Sequence, residues 1–309
     1  MFTAGFLSLP LIAYLNKESS WRVIYLWTCT PAILYCFLVY LIVKESPRWL
    51  FVQGRKEDFV RTLKSIAPTD KAKDLTLASI SNMSFEQKLE TTDVYSAIKK
   101  FFERKWAIHR LMTVMILGFG VGLVYFGMPL GVGNLNFNIY LSTALNAVME
   151  LPAAIITFII IGKANRRTAV LGFSMLCAIS SLMCALTSSS RWKGVQVAME
   201  LLSFFSVCTA FDVLLIYTLE LFPTCIRNSA VTIVRQMMTF GGATSPLLVA
   251  IGRGEGAITH LVFGSVVGIC GLFVGCLPET RGETLCDTMD EEEIKENRRK
   301  HTALANEGV

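Results

Sequence analysis

Glu220-Leu-Phe-Pro-Thr-Cys-Ile-Arg227 separates two long apolar runs, Val195–Leu219 and Ala230–Ile251. A carboxylate and a guanidinium group seven positions apart flank a proline that cannot sit comfortably inside a helix. Runs of about 20 apolar residues are long enough to cross a hydrocarbon core. The charged segment between them therefore reads as a turn at a membrane face.

The composition agrees. Of 309 residues, 53% are hydrophobic and only 17% charged, with a mean hydropathy of +0.51. A chain of this length could form two soluble domains, but it could not hide this much apolar surface in water. Lipid is the expected solvent. The net charge of +5 carries no implication of nucleic acid, because the charges gather at the ends of apolar runs. Met1–Leu15 lacks a basic start and a small-residue cleavage site, so no signal peptide is expected. Seven of the nine cysteines lie in apolar runs and no Cys-x-x-Cys occurs, which reads as small packing residues rather than a disulfide or zinc framework. His109, His260 and His301 are far apart at loop-like positions, and there is no P-loop. An enzyme, a metal site, a cofactor and direct ATP drive are accordingly not expected.

Seven runs qualify as full spans: Ile24–Val43, Leu111–Leu130, Ile139–Ile161 (interrupted by Glu150 and Pro152), Ala169–Thr187, Val195–Leu219, Ala230–Ile251 and Ile258–Leu277. Phe2–Leu15 reads as an eighth, clipped to about two-thirds of the required length. With spans alternating, the 14 Lys and Arg of Lys44–Arg110 share one side with Lys163, Arg166, Arg167, Arg227 and the basic residues of the tail. The other side receives only Lys17, Arg22, Arg191, Lys193 and Arg253. The positive-inside rule places the large loop and the C-terminus in the cytosol. That loop is polar, with helical stretches at Lys56–Ile66 and Val94–Lys105 and a break at Pro68. The Asn82-Met-Ser84 sequon would go unused there. The acidic run Asp290-Glu-Glu-Glu293 reads as a solvated end.

Further segments share the character of Glu220–Arg227. Glu45-Ser-Pro-Arg-Trp-Leu50 follows one span and Pro278-Glu-Thr-Arg-Gly-Glu-Thr-Leu285 follows the last. Gly162-Lys-Ala-Asn-Arg-Arg167 lies between two others. Within the spans stand Val124-Tyr-Phe-Gly127, Asn138-Ile-Tyr-Leu-Ser142 and Glu150-Leu-Pro-Ala153. Together these resemble the organic cation/carnitine transporters of the major facilitator superfamily, plant-like in detail. Sugar porters share the end motifs, but Leu111–Leu130 has no Gln, and Ala210-Phe-Asp-Val-Leu-Leu-Ile-Tyr217 replaces their Gly-Pro-x-x-Trp.

The resemblance implies an all-α membrane protein corresponding to the C-terminal two-thirds of a twelve-helix fold, helices five to twelve, with about eight transmembrane helices. Residues 1–43 would be the last two helices of the N-terminal half, and 44–109 a cytosolic loop joining the halves. Residues 110–277 would be the six-helix C-terminal half, and 278–309 a cytosolic tail. It also implies a multi-pass carrier working by alternating access, in the plasma membrane or, second, the vacuolar membrane. The solute would be an organic cation or a zwitterion such as carnitine, with proton or sodium coupling left open. Competing readings are a non-transporting or regulatory fragment and a sugar-porter-like carrier.

Charged groups inside spans are costly and usually face a cavity. Asp212 stands eight residues before Glu220, the spacing at which the resemblance implies an acidic substrate-binding residue. Glu150, two residues before Pro152 in its span, is the second candidate. Arg235 is the third, with pairing to Asp212 as its alternative role. Tyr125 and Phe126 offer cation–π faces. Thr239 is neutral where mammalian-type carriers place a charge. Glu200, near the end of its span, is expected to reach the interface. At the charged ends, Glu45, Arg48, Arg166, Arg167, Glu220, Arg227, Glu279 and Arg281 form the expected gating network, in which pairs across helix ends must separate when that side opens.

Overall fold

A computed structural model describes residues 2–43, 45–47, 50, 55–66, 101–131, 133, 138–187, 193–252, 256–283 and 286–307. Arg48, Pro68 and Asn82–Ser84 lie outside them, as does most of the Val94–Lys105 stretch. The chain divides into two compact units, Asn16–Thr92 and the remainder, Met1–Leu15 with Asp93–Val309. The smaller unit holds α2 (Trp21–Ile42), an apolar helix with no buried residue. It also holds α3 (Lys56–Ile66), whose Glu57 and Asp58 sit in the first turn and Lys64 in the last, matching the helix dipole.

The larger unit is a helical bundle. It comprises α1 (Phe2–Leu15), α4 (Lys105–Gly131), α5 (Ile139–Lys163), α6 (Arg166–Leu186), α7 (Lys193–Leu221), α8 (Thr224–Ile251), α9 (Gly256–Leu272, prolonged by a 3-10 turn over Phe273–Cys276) and α10 (Met289–Glu307). Six described helices are long and apolar enough to cross a membrane: α2, α4, α5, α6, α7, and α9 with its turn. The seventh expected span, α8, has the length but not the apolarity. Asn228, Arg235, Gln236 and several hydroxyl residues lower it, and a helix facing neighbours or a cavity can carry them. Pro152 does not end α5, which runs unbroken past it.

Glycines decide which helices touch most closely. A Cβ on Gly122 would stand 2.2 Å from the Met238 carbonyl oxygen, and one on Gly241 would stand 2.3 Å from that of Phe119. The backbones of α4 and α8 thus meet directly, as small residues permit in membranes. Gly264 and Gly271 do the same for α9 against α6, meeting Ala178 and Ser174. Gly275, in the 3-10 turn that follows, instead offers its carbonyl to Arg167. Further pairings include α6 with α7, α5 with α7, α1 with α5, α4 with α9 and α4 with α7. His109 and His260 lie within α4 and α9, not in loops.

Candidate functional site

Between α4, α5, α7 and α8 lies a cavity of about 480 Å³, mostly apolar, with Phe6 of α1 at its edge. Its polar feature is Glu150, 8% exposed, whose Oε1 accepts a hydrogen bond from the Tyr125 hydroxyl at 2.7 Å. Tyr125 stacks on Phe211, with centroids 4.6 Å apart, and on Phe204 at 6.0 Å. It meets Phe126 edge-on at 5.0 Å. A carboxylate collared by aromatic rings can receive a cation through both charge and ring faces, while the apolar walls exclude water.

Of the six substrate-site candidates, the cavity gathers Tyr125, Phe126, Glu150 and Thr239. The Thr239 hydroxyl is spent on the carbonyl of Arg235, 2.9 Å away. Asp212 and Arg235 are not among the lining residues. Asp212 is partly buried and lies close enough to Glu150 to interact with it electrostatically. Arg235 is exposed, and among the described residues no ion pair joins it to Asp212. Phe204 and Phe211 escaped notice in the sequence. Aromatic residues are common in apolar spans, and only their convergence on Tyr125 sets them apart.

The second focus is the bundle end where α6, α8 and α10 begin. Arg166 of α6 is 8% exposed and donates through Nε and Nη2 to Glu220 of α7, each at 3.2 Å. Glu220 also accepts from the Thr280 hydroxyl at 2.6 Å. Glu279 accepts the backbone N–H groups of Arg166 and Arg167 at 2.9 and 3.1 Å. It therefore caps α6 from the far end of the chain, satisfying donors that the N-cap Asn165 leaves open. Asn165 takes a hydrogen bond from Arg281 instead. Arg227 does not meet Glu220; its Nε donates to the Phe222 carbonyl. Glu45, in the smaller unit, is exposed.

Two expectations are corrected here. The acidic run 290–293 is not a solvated end: α10 lays it against α4. Arg110, 3% exposed, donates to Glu292 at 2.8 Å and to Glu296, and its Nη1 also reaches the Leu221 carbonyl. Arg104 pairs with Asp290 and Glu293. Acidic runs are usually solvated because nothing opposes them; here two arginines do, Arg104 just before α4 and Arg110 near its start. Glu200 does not reach an interface either. It is 1% exposed and bonded to Asn146 of α5, because α7 starts at Lys193 and places Glu200 two turns inside the bundle.

The sequence matches the family described as "Sugar (and other) transporter" over residues 1–291. It is 51% identical over 298 residues to organic cation/carnitine transporter 3 of Arabidopsis thaliana, covering 95% of this chain and 56% of that protein. It is 48% identical to organic cation/carnitine transporter 2 of the same plant, covering 97% and 59%. The chain thus spans a little over half the length of these relatives. Among solved structures, the partially occluded, inward-open xylose transporter XylE from E. coli superposes with a TM-score of 0.63 at 18% identity, over 90% of this chain and 62% of that one.

Proposed function

Because the chain belongs to the sugar (and other) transporter family, and within it to the organic cation/carnitine transporters, we propose that it carries an organic cation or zwitterion across a membrane by alternating access. The observation that carries this reading is Glu150, a buried carboxylate bonded to Tyr125 at 2.7 Å inside an aromatic cavity. A quaternary or protonated amine would exchange its water for the carboxylate and the faces of Tyr125 and Phe126. A volume of about 480 Å³ lies in the usual range for small-molecule sites. Asp212 supplies a second negative charge beside Phe211. In this reading Arg235, one turn before the cavity-lining Thr239 on α8, would turn inward to meet the carboxylate end of a zwitterion.

In this reading the bundle end with Arg166, Glu220 and Glu279 is cytosolic, and the proposed membrane is the plasma membrane. Its ion pairs hold one face closed and separate when that face opens, biasing a two-state equilibrium. Arg167, Arg227 and Arg281 belong to the same proposed charged face.

The test is uptake of radiolabelled tetraethylammonium, carnitine and xylose by cells expressing the protein, with Glu150→Gln as the comparison. Uptake of the first or second, lost in the variant, supports the reading. Uptake of xylose alone would place the protein with sugar carriers and overturn it.

A further inference from the structure

Glu200 belongs to none of the sites above. Its side chain is sealed inside the bundle, 1% exposed, and its hydrogen-bond donor is Asn146 Nδ2 at 2.9 Å. Asn146 is itself 0% exposed, and its Oδ1 has no partner. Ser142, one turn earlier on the same helix and 1% exposed, has an unpartnered hydroxyl as well. Among the described residues no Lys, Arg or His forms an ion pair with Glu200. The titratable groups on the packed helices are few. Cys184 of α6, fully buried, is close enough to interact with its charge. Glu150 of α5 stands one turn beyond Asn146 and is held by Tyr125 of α4. Arg235 of α8 is exposed.

An ionised carboxylate in such surroundings carries a desolvation penalty that a single neutral amide donor does not offset. A proton removes the charge. It also supplies what Asn146 lacks, since a carboxylic acid accepts from an amide N–H through its carbonyl and donates its O–H to the amide oxygen. One proton thus discharges Glu200 and satisfies the orphaned Asn146 Oδ1. Sodium fits less well, because Glu200, Asn146 and Ser142 offer too few oxygens to replace its hydration shell.

We infer that Glu200 and Asn146 form a proton-binding site, an acid–amide pair one helical turn along α5 from the cavity carboxylate Glu150, and that its proton is the one coupled to solute movement. The coupling clause rests on the transport function proposed above; the site itself does not. Asn146 and Glu150 share a face of α5 (i, i+4), so a shift of this helix that admits a cation at Glu150 also disturbs the donor that holds Glu200.

The experiment is infrared difference spectroscopy of the purified protein during pH titration, with pH-gradient-driven accumulation in proteoliposomes measured alongside. At neutral pH the wild type is expected to show a protonated-carboxyl stretch, sensitive to deuterium, that Glu200→Gln lacks. Asn146→Leu is expected to move that stretch towards the position of an unbonded acid. Identical spectra for wild type and Glu200→Gln, or a stretch that vanishes on adding sodium at fixed pH, overturn the site. Should Glu200→Gln fail to fold, the Asn146→Leu comparison decides alone, and an unmoved stretch overturns it. In proteoliposomes, stimulation of cation uptake by an imposed pH gradient is expected to be lost in Glu200→Gln; retained stimulation overturns the coupling. If the stretch is present but wild type moves no solute under any gradient, the proton site stands and the transport reading falls.

Discussion

Arg110 of α4 and Glu292 of α10 meet at 2.8 Å with only 4% and 8% of their side chains exposed. They join the first turns of the bundle's central helix to a tail that follows the last span. The guanidinium is fully engaged, with Glu296 and the Leu221 carbonyl as further acceptors and Trp106 stacked at 4.8 Å. The tail helix is thereby part of the fold.

Breaking this pair from one side leaves a buried charge uncompensated, which typically costs about 3–5 kcal/mol. Arg110→Ala is expected to lower the melting temperature in detergent and to release α10 to protease. By contrast, Lys17→Ala, whose pairing with Glu18 is surface-exposed, is expected to change stability by less than about 1 kcal/mol. Equal melting of the two variants would contradict the docking.

Cys286 offers a pH reading of the same contact. Burial and the Glu292 carboxylate, as hydrogen-bond acceptor and as charge, push its thiol above the ordinary value. Less thiolate is then present at a given pH, so the maleimide-labelling profile of Cys286, followed by peptide mapping, should lie at higher pH than that of free cysteine. Glu292→Gln is expected to move the profile down. An unshifted profile would show that the carboxylate does not act on the thiol.

Arg166 reaches Glu220 through two nitrogens, a geometry lysine cannot reproduce. Arg166→Lys should weaken the pair by about 1 kcal/mol and shift the protein towards the state open at this end. The measure is faster hydrogen exchange at the backbone amides of Arg166 and Arg167, which Glu279 holds. Unchanged exchange would mean that the pair is not part of the closure.

In the cavity, Tyr125→Leu removes both the ring and the hydroxyl, whereas Tyr125→Phe removes only the bond to Glu150. If the ring contributes cation–π attraction of about 0.5–2 kcal/mol, apparent affinity for a quaternary ammonium should fall more for Leu than for Phe. Equal losses would assign the effect to the hydrogen bond alone.

At the α4–α8 crossing, Gly122→Val inserts a side chain where even a Cβ would lie 2.2 Å from the Met238 carbonyl oxygen. The variant is expected to lose folded yield or to melt at least about 1–3 kcal/mol less stable. Gly172→Ala, in open space on α6, should be neutral. A stable Gly122→Val protein would require the two helices to sit farther apart.

The spans were legible because lipid imposes a local rule. Each run such as Val195–Leu219 must be apolar along its own length, whatever its neighbours, and proline-broken charge as at Glu220–Arg227 must fall between runs. Glu150 was legible for the same reason, as a charge where charge is costly. What the sequence could not decide is who meets whom. Arg166 finds Glu220 and a cap from Glu279, Arg227 turns to a carbonyl, and the acidic tail seats on Arg110. Glu200 finds Asn146, and among the described residues no arginine forms an ion pair with Asp212. Apart from the local bond of Arg227 to Phe222, these contacts join residues far apart in the chain, on helices whose packing no local pattern states. Local pattern encodes the burial of each helix in lipid; helix packing alone sets which polar groups share a buried space.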